Sequence, residues 1–339
     1  MSGEPEPAWS ASLIDPARVR AWITDVLPGH PHTSGPVNVH RSNAWGVTAR
    51  FAATDGSETS EVVFKANFLP MTFAGPAVYE LLARCCPADV PDILASVEES
   101  GRRWELFAVF EGETVGTLGR LEPVINVART IARIQTAVAA CPGLDTANLL
   151  RTPVERVPAM YDELFTVIEG RFLPAIGGDD EAFARAHGLP RDAVRTLAAA
   201  RPAVSRWADE LAAGRWPLSI HHVDLHPNNA VRRDGGGTLI FDWEEADLGF
   251  PLFVLDKLLI EAARWWGPTG ADAVRAAYLD TLPWATRDER ERAFDLAQLL
   301  SPVRHAHADL RFADAMGWDP SGQVASWLAI ALRRWSSTR

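Results

Sequence analysis

His222-Val223-Asp224-Leu225-His226-Pro227-Asn228-Asn229 is followed, after the turn Asp234-Gly235-Gly236-Gly237, by Leu239-Ile240-Phe241-Asp242-Trp243. Three oxygen-bearing side chains, Asp224, Asn229 and Asp242, thus share one short irregular segment. Phosphoryl transfer needs a hydroxyl oriented in line with phosphorus, and hard oxygen ligands for a metal ion that neutralises the transferring group. An aspartate can orient the nucleophile and accept its proton. An asparagine amide adds a neutral oxygen, and an aspartate ending an apolar strand can bridge metal and phosphate. Singly, Asp224 and Asn229 would read as turn residues bonded to their own backbone, and Asp242 as a cap. In this order, around a glycine-rich hairpin, they favour Asp224 as the catalytic group and Asn229 and Asp242 as metal ligands.

Outward from this segment the hydrophobic period is helical, predicting helices at about 121–140, 153–172, 190–213, 252–266, 270–281, 287–315 and 321–335. Short strands interrupt them at Leu218 to His222, Ala230 to Arg233 and Thr238 to Trp243. The first 110 residues differ in texture. Asp15-Pro16 opens a helix to about Leu27, and strands at 46–53 and 59–66 pair across Thr54-Asp55-Gly56-Ser57. A helix from Pro76, with Tyr79, Leu82, Cys85 and Cys86 inward, stops before Pro87, and strands follow at 92–97 and 104–110. The expected class is α+β: a small antiparallel-sheet lobe over 1–110 and a mainly helical lobe over 111–339. The thirteen tryptophans serve core packing, with Trp265 and Trp266 placed to wall a ligand pocket.

Apolar residues make up 47% and charged residues 23% of the 339, which excludes a disordered, collagenous or disulfide-scaffold chain. With 33 basic against 44 acidic residues the net charge is −11, a field that repels nucleic acid and anionic membranes. Cys85, Cys86 and Cys141 are odd in number and lack a C-x-x-C spacing, so neither disulfide framework nor zinc finger is expected and a reducing compartment fits. The acidic start Met-Ser-Gly-Glu-Pro-Glu-Pro is unlike a signal peptide, and the run Phe250 to Ile260 is broken by Asp256 and Lys257. A cytoplasmic protein without nucleic-acid or membrane partners is expected; oligomeric state is left open.

The pattern H-x-D-L-H-P-x-N over 222–229, with Phe241-Asp242-Trp243-Glu244 and Leu248-Gly249-Phe250-Pro251 before Asp256, resembles the aminoglycoside phosphotransferase and choline kinase-like small-molecule kinases. The resemblance implies a bilobal protein-kinase-like fold that phosphorylates a small-molecule hydroxyl with ATP, or GTP, and Mg2+. Lys65, on Val62-Val63-Phe64-Lys65, resembles the lysine that binds ATP phosphates, and Glu80 its ion-pair partner; the plainer alternative pairs Glu80 with Arg84 on its own helix. Phe107 to Gly112 resembles the interlobe hinge, where an Ala108 carbonyl and a Phe110 N–H would read the adenine edge. Ser42-Asn43-Ala44-Trp45-Gly46 stands where the phosphate-covering loop belongs; G-x-G-x-x-G is missing, leaving Ser42 and Asn43 as candidates. Val223 and Asn228 replace common glycines of the family, and Phe250 a common acidic residue.

For the acceptor, the family's resistance members point to an antibiotic, with choline, homoserine or a sugar as the metabolite alternative. Arg304, His307 and Arg311, with His305 alongside, make a cationic stripe that would meet a carboxylate or carboxamide, and Trp265 a wall; pairing with Asp309 and Asp314 on a solvated face is the alternative. His221 to His226 also approximates the H-x-H-x-D-H of binuclear metallohydrolases, with the spacing wrong by one residue and helices where a sheet sandwich is needed. A non-catalytic kinase-like binding protein would lack one of Lys65, Asp224, Asn229 and Asp242, and all four are present.

Overall fold

A computed structural model describes residues 14–56, 58–144 and 147–336; the acidic N-terminal stretch, and Ser57 of the expected turn, lie outside the described residues. The first half runs α1 (Pro16–Val26), β1 (His32–Asn43), β2 (Gly46–Asp55), β3 (Glu58–Asn67), α2 (Gly75–Cys85), β4 (Ile93–Glu99), β5 (Arg102–Ala108), β6 (Glu113–Thr114), α3 (Leu121–Ala139), β7 (Arg151–Thr152) and α4 (Val157–Val167). It continues through α5 (Leu173–Ala175), α6 (Asp180–Ala186), α7 (Ala193–Ala212), β8 (Ser219–His221), β9 (Ala230–Arg232), β10 (Thr238–Ile240), β11 (Asp247–Gly249), α8 (Asp256–Thr281), α9 (Arg287–Met316) and α10 (Ser321–Ser336). These form two compact units. The first takes the described residues to Thr130 with those of Ala140–Leu149 and His226–Ala246; the second takes Ile131–Ala139, Leu150–Leu225 and the described residues from Asp247. The described residues of the expected lobe over 1–110 lie within the first unit, which also claims the segment carrying Asn229 and Asp242.

The first unit is built on an antiparallel sheet in the order β1-β2-β3-β5-β4. Alternation divides its faces. Val47, Ala49, Phe51, Phe64, Ala66, Trp104 and Leu106 face one way and pack with Val19 and Ile23 of α1, the buried valine, leucine, isoleucine and phenylalanine side chains contributing about 1.5–3 kcal/mol each. Asp15 starts that helix as expected, its carboxylate accepting from Ala17 N–H at 2.9 Å. On the opposite face Arg41, Thr48, Lys65 and Glu105 stand directly opposite one another across four strands. The expected pair 46–53 with 59–66 is present as β2 with β3, and the strands expected at 92–97 and 104–110 are β4 and β5, which pair with each other; β1 was not anticipated.

One expectation fails outright: Cys85 and Cys141 form a disulfide, while Cys86 is a buried thiol. The fold brings the end of α2 to the turn beyond α3, which no local spacing could announce. A crosslink closing this 56-residue separation is expected to contribute about 2–4 kcal/mol. Calorimetry with and without reductant, beside Cys85→Ser, should show the loss; unchanged melting would mean the crosslink constrains little.

In the second unit, β7, β11 and β8 form a small sheet flanked by helices. The expected break between the helices ending at 266 and starting at 270 is a kink in α8 at Gly267, φ 69°, before Pro268. Thr286 and Glu289 cap α9 reciprocally. Among the described residues no helix is long and apolar enough to cross a membrane.

Candidate active site

Lys65 is almost fully buried, and its ammonium meets the Asp242 carboxylate in a short contact and Glu244 Oε1 at 2.5 Å. Burial opposes its charge, yet Asp242 and Glu244 outweigh that and hold the ammonium above its ordinary range. Burial likewise works against Asp242, and Lys65 prevails, holding that carboxyl well below the usual range. Asp242 reaches this position because β10 ends at Ile240 and the backbone turns at Asp242 with φ 69°, a left-handed conformation that aspartate tolerates. Trp243, fully buried, fixes the turn: its indole N–H donates to Ile240 O at 2.8 Å and its backbone N–H to Tyr79 Oη at 3.3 Å.

Two further carboxyls complete the cluster and were not singled out from the sequence. Glu105, opposite Lys65 on β5, is completely buried and accepts from Asn67 Nδ2 at 3.0 Å; burial and the Glu244 charge push its carboxyl well above the usual range. Gly75, the first residue of α2, approaches so closely that a Cβ there would lie 2.4 Å from Glu105 Oε1. Burial, eased by Lys65 and reinforced by Asp242, pushes Glu244 from 4.5 up to about 7. A carboxyl raised in the fold contributes stability that is full below its ordinary value and is lost as pH rises through the folded one. Stability is therefore expected to fall by up to about 3 kcal/mol from pH about 4.5 to about 8, and Glu244→Gln to flatten that part of the profile. Asp242 acts oppositely, its contribution being lost as pH falls below the ordinary carboxyl range. Urea unfolding across pH checks both signs, and superimposable profiles for wild type and Glu244→Gln would refute the first.

Glu80 does not partner Lys65. Its side chain is 73% exposed and pairs with Arg84 one turn on, so the ion-pair expectation is corrected to Asp242 and Glu244. Arg41 was missed: it follows a register shift in β1, its Nε has no hydrogen-bond partner among the described residues, and its charge acts on both Lys65 and Asp242. Beside it, Ser42 Oγ is buried and also unpaired among the described residues. Asn43 Oδ1 instead closes the hairpin, accepting from Trp45 N–H at 3.0 Å and Gly46 N–H at 3.2 Å. Ala108 ends β5 and donates its N–H to Asp92 O, and the Phe110 ring packs on Phe241 at 5.3 Å.

The 222–229 motif spans the division between units. Asn229, buried in the first unit, donates its N–H to His226 O at 2.9 Å and accepts from Phe241 N–H at 3.0 Å, which ties it to the strand end before Asp242. His226 Nδ1 accepts from Asn228 N–H, so this histidine orders the loop. Gly116 lies close opposite: a Cβ there would meet the exposed Asn228 side chain, which would have to turn away. Asp224 lies in the second unit, its Oδ1 2.6 Å from Lys257 Nζ.

The expected cationic stripe on α9 does not form. Arg304 is buried, donating to Asp247 Oδ2 at 2.8 Å and Thr152 Oγ1 at 3.2 Å, with His221 Nδ1 3.2 Å away. Burial would raise the Asp247 carboxyl, but Arg304 and His221 hold it low. Arg304 thus balances an internal charge, and His221, counted in the metallohydrolase pattern, belongs to the same network. Arg304→Met should cost about 3 kcal/mol by stranding Asp247, read by urea unfolding; a stable variant would show Asp247 finds another partner. His307 meets Glu163 at 2.7 Å, Arg311 is exposed, and Trp265 is 40% exposed, edge-on to Trp266.

The site thus joins a buried lysine to the aspartate of the D-W-E turn, which follows the H-x-D segment in the chain. The chain belongs to the phosphotransferase enzyme family, whose model matches residues 76–294. Among solved structures it is similar to a choline kinase from Cryptosporidium parvum Iowa II (10% identity, 95% of each chain, TM-score 0.62). It is also similar to the macrolide 2'-phosphotransferase MphH from Brachybacterium faecium (14% identity, 94% of this chain and 97% of that one, TM-score 0.57). A third is a spectinomycin phosphotransferase in complex with ADP and its antibiotic (12% identity, 97% and 99%, TM-score 0.51). These likenesses establish the protein-kinase-like α+β fold. No curated protein sequence matches the chain.

Proposed function

We propose that this phosphotransferase moves the γ-phosphoryl group of ATP to a hydroxyl of an antibiotic. The observation that carries the reading is the buried contact of Lys65 with Asp242, which joins the β3 lysine to the segment holding both candidate metal ligands. The donor set suits the cofactor: Asn229 and Asp242 offer two hard oxygens, appropriate to magnesium that takes its remaining ligands from phosphate and water. Lys65 and Arg41, both on one sheet face, would hold phosphate oxygens, and the backbone at Ala108 and Phe110 would meet the adenine edge. Magnesium–ATP, when bound, supplies the phosphoryl group and the charge that neutralises it. Asp224 orients the acceptor hydroxyl and takes its proton as the new O–P bond forms.

The test is phosphate-sized mass gain when the purified protein, with Mg2+ and ATP or GTP, meets macrolides, spectinomycin, hygromycin B, choline, ethanolamine, homoserine and sugars. A phosphorylated antibiotic supports the reading. A product found only among the metabolites replaces it with a metabolite kinase, and failure to bind magnesium–ATP overturns both.

A further inference from the structure

Lys257 belongs to neither the metal ligands nor the phosphate-binding cations, yet it makes a direct contact with the catalytic candidate. Its Nζ lies 2.6 Å from Asp224 Oδ1, with side-chain exposures of 29% and 31%. The pair is built in from behind. Lys257 is the second residue of α8 and follows Asp256, whose carboxylate is completely buried. Arg334 of α10 grips that carboxylate with two bonds of 3.0 and 3.1 Å, and Ser301 Oγ of α9 donates to it at 2.5 Å. The backbone that carries Lys257 is thereby pinned by a charged anchor, unlike that of an ordinary surface ion pair.

A third charged group acts on the same two. Asp309 on α9 accepts from Trp327 Nε1 at 2.8 Å, and the Trp327 ring stacks on His305 at 4.2 Å between centroids. Burial raises the Asp309 carboxyl, Trp327 and Lys257 oppose this, and Asp224 adds to it, so all three charges feel one another. A cation in contact with one carboxylate offsets its repulsion of another, and Lys257, 2.6 Å from Asp224 Oδ1, is such a cation.

We infer that Lys257 is a positioning residue of the transfer site, orienting the Asp224 carboxylate for the acceptor hydroxyl. The inference rests on the phosphotransferase reading above. In the step, the acceptor oxygen bonds to γ-phosphorus and its proton goes to Asp224. The bond from γ-phosphorus to the β–γ bridging oxygen breaks, its electron pair leaving with ADP. Lys257 keeps its proton throughout.

The test needs no knowledge of the natural acceptor. Wild type, Lys257→Met, Lys257→Gln and Lys257→Arg are given magnesium–ATP with water and with glycerol as hydroxyl donors. ADP release, nucleotide affinity by calorimetric titration and Tm are then measured. Lys257→Met and Lys257→Gln should lower kcat about 10- to 100-fold with nucleotide affinity and Tm nearly unchanged. Lys257→Arg should recover most of the loss, because it keeps the ion pair with Asp224. Wild-type kcat in either neutral variant, or an equal loss in Lys257→Arg, overturns the inference while leaving the phosphotransferase reading intact. A wild type that binds magnesium–ATP without releasing ADP also overturns it, there being no transfer to position. A wild type that binds no nucleotide overturns the reading of function first, and this inference with it.

Discussion

Asp224→Asn should reduce phosphoryl transfer by about 10²- to 10⁴-fold while leaving magnesium–ATP affinity within a small factor of wild type. The substitution keeps the shape of the side chain and removes its capacity to accept a proton. It also deprives Lys257 of its carboxylate partner at 2.6 Å, so orientation is lost together with basicity. Stability should change little, since Asp224 is about one-third exposed and the buried anchor at Asp256 is untouched. Steady-state kinetics with the acceptor identified by mass spectrometry, beside calorimetric nucleotide titration, separates these effects. A folded Asp224→Asn protein with full activity would remove Asp224 from the mechanism.

Lys65→Met should act on folding as well as on nucleotide binding. One buried ammonium pairs with both Asp242 and Glu244, whose charges would otherwise sit where water solvates them poorly. Removing one partner of a buried pair costs about 3–5 kcal/mol, and with two carboxylates sharing the ammonium a loss in that range is expected. The loss should be larger at pH about 8 than at about 5, because Glu244 and Glu105 can relieve it by protonating as their raised carboxyl values allow. Unfolding at the two pH values measures this, and weakened nucleotide binding at the lower pH, where the variant folds, measures the loss of the phosphate cation. A variant as stable as wild type at both pH values, with unchanged nucleotide affinity, would refute both roles.

Much of the architecture was legible because it is written in short-range pattern. Period-two alternation in 46–53 and 59–66 marks strands with one apolar face, and that face is the one that packs on α1. Strand β1 was missed because His32–Asn43 is polar and carries Gly35 and Pro36, so its pairing with β2 comes from the hairpin at Ala44-Trp45 rather than from its own composition. Helix α6 was missed for the related reason that seven residues are too few for a helical period to stand out.

By itself the sequence determined the local elements and the succession Asp224, Asn229, Asp242, since groups within one short segment carry their spacing with them. Only the tertiary structure decided who meets whom across the chain. Lys65 lies 177 positions from Asp242, and strand register together with the turn at Asp242 joins them, while Glu80 points outward to Arg84. Arg304 looked available on its helix until burial beside Asp247 made it an internal counter-charge, and Cys85 reached Cys141 only through the packing of the first unit. Charge and thiol pairings depend on distance and on exclusion of water, and neither exists until remote segments have packed.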